Sequence, residues 1–143
     1  MLPALGFCQT YDEIMKITSQ DLFVRYMVEN GYERDEPNND EEEHVYSLYS
    51  YKDSLTEKVA QGILRKDGKY RLSFKLSYLN QEKTFNDIYS AIKEWCIYHQ
   101  VRNNQVDYAC CESGIDECLV TDLSIKIEEN IGYVYGYTPA LYD

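Results

Sequence analysis

Residues 57–79 read EKVAQGILRKDGKYRLSFKLSYL, and this stretch decides the predicted fold. The dipeptide Asp67-Gly68 accepts the positive φ of a tight turn, so it predicts a hairpin between strands at 57–65 and 69–79. The second strand alternates between apolar and polar residues, which is typical of a strand with one buried face. Its apolar row is Tyr70, Leu72, Phe74, Leu76 and Tyr78.

A two-residue loop sets the register that we expect for this hairpin. It pairs Ile63 with Leu72 and Val59 with Leu76, so the apolar residues of both strands lie on one side of the sheet. The opposite side is polar and basic. The positive side chains on that side and near the turn are Arg65, Lys66, Arg71 and Lys75.

A long helix is predicted to cover the apolar side of the sheet. Residues 84–99 carry apolar side chains at i, i+3, i+4 and i+7, which is the spacing of one helical face. Those side chains are Phe85, Ile88, Tyr89, Ile92, Trp95 and Cys96. This helix is expected to end close to His99, whose imidazole would meet the last carbonyl groups.

Two short helices are predicted near the N-terminus. Thr10 followed by Glu13 is a capping-box pattern, which predicts a helix over about 10–17. A second start signal, the Thr-Ser pair at 18–19, precedes a helical apolar pattern that Gly31 ends.

Further strands are predicted on both sides of the long helix. Residues 44–51 and 106–111 are rich in residues that favour strands, and a second hairpin joins 123–128 to 133–137 through a turn at 129–132. Strands interrupted by one long helix are typical of α+β proteins.

The predicted fold is therefore a single α+β domain over residues 1–143. We expect an antiparallel sheet of about five to six strands, containing two hairpins, packed on one face by one long helix, with a short N-terminal helical pair. A chain of 143 residues has the usual length of one domain and buries enough surface to fold alone.

The negative charge of the chain is concentrated in two segments. The formal net charge is −11. Residues 29–43 hold eight acids against one base, residues 107–143 hold eight acids against one base, and residues 52–75 between them hold seven bases against three acids. A field of this sign repels phosphate backbones and favours basic partners, so we expect no direct binding of nucleic acid.

The acid-rich stretch at about 33–43 is predicted to be an exposed, flexible loop. It contains Pro37 and has no other apolar residue that could anchor it to a core. The stretch lacks the alternating acids and the central glycine of a calcium-binding loop, so we expect a solvated segment.

The five cysteines follow no disulfide framework. Their number is odd, their spacing is irregular, and no apolar run is long enough to span a bilayer, so we expect free thiols and a cytoplasmic protein that does not bind membranes. Cys110, Cys111 and Cys118, with His99 upstream, have the ligand chemistry of zinc. Neighbouring cysteines on a strand point to opposite faces, however, so we predict small buried hydrophobic residues and no metal site.

No catalytic motif is present. The chain has no GxGxxG, GxxxxGK[ST], GxSxG or HExxH sequence. The two histidines, His44 and His99, have no partner motif that would activate a cysteine nucleophile. We therefore expect no enzymatic activity and no cofactor.

The first functional hypothesis is a non-catalytic inhibitor that docks on a basic partner protein, such as a nuclease or another effector that handles nucleic acid. Acidic side chains would present phosphate-like charge, and some of the fifteen tyrosines would anchor the contact. In size, acidity and lack of catalytic motifs the chain resembles phage inhibitors of host defence (anti-CRISPR and antirestriction proteins) and small toxin-immunity proteins. The predicted partner-binding residues are Asp35, Glu36, Asp40, Glu41, Glu42, Glu43, Glu112, Asp116, Glu117, Tyr133 and Tyr135.

Two other hypotheses remain open. The basic face of the first hairpin would suit a nucleotide-like small molecule, which the chain would sequester or cleave; the anion-binding residues are then Arg65, Lys66, Arg71 and Lys75. The chain would otherwise be a homo-oligomer that associates through a strand edge formed by Tyr133, Tyr135 and Tyr137.

Overall fold

The computed structural model describes residues 10–35, 43–52, 55–111 and 121–138. Within them, helices and strands follow one another in two similar halves. The first half consists of α1 (Tyr11–Met15), α2 (Gln20–Glu29), β1 (Glu33–Arg34), β2 (Glu43–Lys52), β3 (Leu55–Arg65) and β4 (Lys69–Lys75). The second half consists of α3 (Leu79–Trp95), β5 (Ile97–Arg102), β6 (Gln105–Cys110), β7 (Thr121–Glu128) and β8 (Ile131–Tyr137).

The described strands form one antiparallel sheet of eight strands in the order β1-β2-β3-β4-β8-β7-β6-β5. Each half is a four-stranded meander, and the two meanders meet where β4 pairs with β8, with Leu72 opposite Val134. The predicted α+β class and antiparallel sheet are confirmed, but the sheet has eight strands where five to six were expected. The two halves share this topology although the sequence shows no internal repeat.

The N-terminal helices begin where the capping residues predict. The Thr10 side chain accepts a hydrogen bond from the backbone N–H of Glu13 (3.2 Å), and the Ser19 side chain accepts one from that of Leu22 (3.2 Å). Gly31 follows α2 with a φ of 84°, a conformation that glycine adopts without strain.

The core lies between the helices and one face of the sheet. Phe85 of α3 packs over Gly132 of β8 so closely that a methyl group there would come within 2.6 Å of the ring. The largest fully buried side chains are Ile14, Phe23, Met27, Leu64, Leu72, Phe74, Phe85, Ile88, Ile92, Leu123, Ile125 and Val134. Because α2 and α3 cover the same face, the opposite face of the sheet stays free of helices among the described residues.

The first hairpin forms as expected, but its predicted register is wrong by one residue. The strands pair Ile63 with Arg71 and Gly62 with Leu72, so the connection has three residues, with Gly68 at a φ of 92°. A one-residue change of register exchanges the two faces of a strand. Gly62 and Leu64 therefore face the core in place of the predicted Ile63.

The long helix begins five residues and ends four residues earlier than the sequence pattern predicts. It begins at Leu79 and ends at Trp95, and β4 ends at Lys75. The last predicted helical residues form β5 instead, so His99 is in a strand and does not cap a helix. Asn103 and Asn104 both have positive φ and turn the chain from β5 into β6, as the hairpin requires.

Both ends of the acidic loop that was predicted at 33–43 belong to strands instead. Glu33 pairs with Ser47, so β1 is a short edge strand, and Glu43 already belongs to β2. The rest of the loop, residues 36–42, lies outside the described residues. Within the part of the chain that the structure describes, no helix has the length and apolarity needed to cross a membrane.

A disulfide joins Cys96, at the end of α3, to Cys110 in β6. Cys111 is disulfide-bonded as well. The expectation of free thiols is therefore wrong. The irregular spacing of the cysteines concealed the bond, because the turn between β5 and β6 brings residues 14 positions apart into contact.

We expect the double variant Cys96→Ala/Cys110→Ala to unfold at lower denaturant concentration than the wild type. A disulfide that closes a loop of this length stabilises a protein by about 3 kcal/mol, so the free energy of unfolding in urea should fall by roughly 2–4 kcal/mol. Alkylation of the unfolded, unreduced wild type provides the control. Modification of both Cys96 and Cys110 in that sample would contradict the bond.

Candidate functional site

The open face of the sheet carries the candidate site. In β4, Arg71 and Lys75 alternate with buried Leu72 and Phe74, and Arg71 lies directly opposite Tyr135 of β8. The next strand, β7, brings Lys126 opposite Tyr133. We call this surface the tyrosine face. Its residues are Arg71, Lys75, Lys126, Tyr133 and Tyr135.

Two stacked tyrosines form its centre. The rings of Tyr133 and Tyr135 lie 6.0 Å apart with an interplanar angle of 22°. The Arg71 guanidinium carbon lies 5.4 Å from the centre of the Tyr133 ring, within the range of a cation–π contact. Both rings are half-buried by their neighbours on the sheet. They are rigid and amphipathic, which is the character of side chains that dominate protein interfaces.

Arg71 has an unused donor. Its Nε is buried and has no hydrogen-bond partner among the described residues. A buried guanidinium N–H without an acceptor is unfavourable by roughly 1–3 kcal/mol or more, so an acceptor supplied by a ligand or partner would be favoured here.

Lys126 is the second cation beside the rings. Its ammonium group donates to Glu128 (2.8 Å), and this hydrogen bond raises the pKa of Lys126. The charge of Lys126 is thus partly balanced within the chain. The tyrosine face is therefore aromatic and weakly basic.

An acidic network borders the tyrosine face on β6. Burial alone would raise the pKa of Asp107, but hydrogen bonds from Arg102 Nε (2.7 Å), Ser124 Oγ (2.7 Å) and Gln100 Nε2 (3.1 Å) outweigh it and lower the pKa to about 2. One carboxylate thereby ties together β5, β6 and β7. Its role is structural, because the described donors around it already use both of its oxygens.

Asp35 is held in a similar way at the other end of the sheet. Its carboxylate accepts hydrogen bonds from Ser47 (2.9 Å) and Tyr49 (3.0 Å), and Lys58 Nζ lies 3.5 Å away. Asp35 was predicted to bind a partner. These three contacts leave little of its charge for a partner.

The structure brings together only some of the predicted site residues. Tyr133 and Tyr135 share the tyrosine face with Arg71 and Lys75, and Glu43 is exposed at the start of β2. The predicted partner-binding residues that lie outside the described part of the chain are Glu36, Asp40, Glu41, Glu42, Glu112, Asp116 and Glu117.

Of the four predicted anion-binding residues, Arg65 has its Nη2 3.6 Å from Asp67, next to Lys66, and Arg71 lies over the Tyr133 ring. Whether the four act as one anion site stays a prediction. The sequence pattern also missed Lys126 and Ser124 as neighbours of these tyrosines. The alternation of apolar and polar residues in β7 already placed both side chains on its outward face. That they lie beside the tyrosines follows only from the pairing of β7 with β8, which the sequence pattern does not give.

The histidines and cysteines form no metal site among the described residues. No group of three or more His, Cys, Asp or Glu side chains there is arranged to hold an ion. Cys110 is in a disulfide and is not available as a thiolate ligand. His44 contacts Gln20 (3.1 Å) and Arg34 (3.4 Å) through its two ring nitrogens, and His99 is exposed on β5.

A cleft between α1 and α2 offers a volume of about 360 Å³. Two acids and two bases lie at its border, and Arg25 is bound to Glu29 (3.0 Å), so their charges largely cancel. Burial raises the pKa of Glu13 there. The cleft therefore has no clear preference for anions or cations.

Comparison of the chain with protein-family models, with curated proteins and with solved structures found no match. The geometry of the described residues is therefore the basis for the functional proposal.

We expect Asp107→Asn to lower the free energy of unfolding by roughly 1–3 kcal/mol near neutral pH, because the donors around it, Arg102, Ser124 and Gln100 among them, lose a charged acceptor. Because the pKa of Asp107 is lowered, its carboxylate stabilises the fold fully above about pH 4, and this stabilisation should disappear as the pH falls toward 2. Urea unfolding across this pH range measures the difference between variant and wild type.

Asp122→Asn is the matched control for this experiment, since it removes the same charge from an exposed position of β7. A difference between Asp107→Asn and the wild type that stayed constant from pH 7 to pH 2 would argue against the network.

Proposed function

We propose that this protein is a non-catalytic binding protein that docks on another protein through the tyrosine face. The observation that carries the proposal is the stacked pair of Tyr133 and Tyr135 with Arg71 over one ring, on a sheet face that no described helix covers. Tyrosine and arginine are the residue types that contribute most to protein interfaces. A rigid strand pair also positions them with little loss of conformational entropy on binding.

The net charge of −11 supports a basic partner. The tyrosine face itself is weakly basic, so the attraction must come from acids around it. Of the described residues, the exposed Glu43 belongs to β2, two strands from β4, and the exposed Asp122 belongs to β7, which also carries Lys126. The narrower prediction of an inhibitor of host defence draws on size, acidity and the lack of catalytic motifs, and it stays a prediction.

The disulfide bears on where such a protein would work. Disulfides persist mainly in secreted, periplasmic and other oxidising environments. The Cys96–Cys110 bond thus favours an oxidising compartment over the predicted cytoplasm. Trapping of thiols in intact producing cells, before lysis, distinguishes the two locations.

A second candidate is the binding of a small anion at Arg71. The buried Nε without a partner favours it, because a phosphate or carboxylate oxygen would satisfy that donor. Thermal-shift measurements with nucleotides, on the wild type and on Arg71→Gln, separate this candidate from protein binding. Stabilisation of the wild type alone would favour the anion.

We expect Tyr133→Ala/Tyr135→Ala to lose its partner, because tyrosines at the centre of an interface each contribute about 2 kcal/mol, or roughly 30-fold in Kd. The experiment compares proteins crosslinked to the immobilised variant and to the wild type in extracts, followed by measurement of Kd for the purified partner.

Two controls make this result specific. Tyr133→Phe/Tyr135→Phe keeps both rings and should retain most of the affinity, and Val28→Ala removes an exposed apolar side chain from α2 on the other side of the sheet. Equal binding by the double alanine variant, with its fold shown by unfolding curves, would refute the role of the tyrosine face.

A further inference from the structure

The two edges of the sheet differ in a way that the tyrosine face does not explain. β1 has two residues, both charged and exposed, and such an edge resists pairing with another chain. β5 has six residues, all exposed. Every second residue of an edge strand directs its backbone N–H and C=O groups away from the sheet. Since none of the described strands pairs with this edge, β5 presents an unpaired ladder to the extent that the structure describes the chain.

The side chains along β5 are unusually apolar for an exposed edge. Ile97 is 75% exposed, Tyr98 is 59% exposed and Val101 is 57% exposed, and Trp95 at the end of α3 is also half exposed. We call these four residues the β5 patch. Exposed apolar side chains concentrated at one edge of a sheet mark an interaction surface more often than scattered single residues do.

Charge makes the β5 patch suitable for a second copy of this chain. Residues 95–101 contain no charged side chain, although the whole chain carries −11. Arg102, the next residue, is bound to Asp107 at 2.7 Å. Two copies can therefore pair along β5 without bringing acidic side chains of that strand into direct contact.

The order of side chains in β5 also fits pairing with itself. A bulge at His99 shifts the register with β6, because Tyr98 lies opposite Tyr108 while Gln100 lies opposite Asp107. As a result Tyr98 and Val101, three positions apart, both face the helix side of the sheet, and Ile97 and Arg102 both face the open side. This arrangement of faces reads the same from either end of the strand.

We propose that two copies of this chain associate through antiparallel pairing of β5 with β5, around a two-fold axis between His99 and Gln100. Tyr98 of each copy then lies opposite Val101 of the other, and Ile97 lies opposite Arg102. The pairing joins the two eight-stranded sheets into one continuous sheet. The Cys96–Cys110 disulfide holds the start of β5 in place, which reduces the entropy lost on association.

The test compares two variants of one exposed residue. Ile97→Lys would place a like charge opposite Arg102 of the second copy, and Ile97→Glu would place an opposite charge there; both remove the same apolar side chain. Because of the symmetry, each change occurs twice in the interface. Sedimentation velocity and light scattering over a concentration series give the dimer Kd of the wild type and of each variant.

We expect the wild type to be a dimer, and Ile97→Lys to have a Kd at least tenfold higher than Ile97→Glu. Overall repulsion between two chains of net charge −11 predicts the reverse order, since lysine reduces the net charge and glutamate increases it. Val28→Lys, at an apolar residue of α2 that is 60% exposed, is the matched control and should remain a dimer.

Three results would overturn the proposal. They are a wild type that stays monomeric at every concentration, equal Kd values for Ile97→Lys and Ile97→Glu, and a loss of association in Val28→Lys as large as in Ile97→Lys. Urea unfolding curves for every variant show whether a lost dimer reflects a lost fold. The tyrosine face is intact in all of these variants, so failure here leaves the proposed function open to its own test.

Discussion

The pairing of β4 with β8 is the contact on which both faces of the molecule depend. It joins two meanders that are distant in sequence. Its register decides which side chains of β4 and β8 lie on each face of the sheet. Leu72 opposite Val134 places two buried residues under the helices, and the neighbouring pair places Arg71 opposite Tyr135 on the open side. A one-residue change in this register would move the tyrosines into the core and expose the core residues.

The same constraint explains why the glycines alternate with tyrosines in β8. Phe85 of α3 packs over Gly132, and the Tyr70 ring occupies the space beside Gly136, so the helix side of β8 has no room for larger side chains at these positions. The bulk of the strand is then on the open side, where Tyr133 and Tyr135 stack. β8 therefore contributes to the close packing on one face of the sheet and to the aromatic surface on the other.

Sequence patterns located most elements but not their partners. The capping residues Thr10 and Ser19, the turn at Gly68 and the alternation in β4 depend on interactions within a few residues, and all were recognisable in the sequence. The end of the long helix was not recognisable in the sequence, because residues 97–102 contain apolar side chains that suit a helix as well as a strand. Pairing with β6 decides between the two, and that pairing is a tertiary contact.

The sequence alone determined that this is an acidic α+β chain, rich in tyrosine, with local signals for helices and turns. Tertiary structure decided which residues meet. It brought Cys96 to Cys110, surrounded Asp107 with hydrogen-bond donors, and placed Arg71 over a tyrosine from the other half of the chain. The physical reason is that helix caps, turns and alternation are local, whereas strand order and register depend on which apolar faces can be buried together.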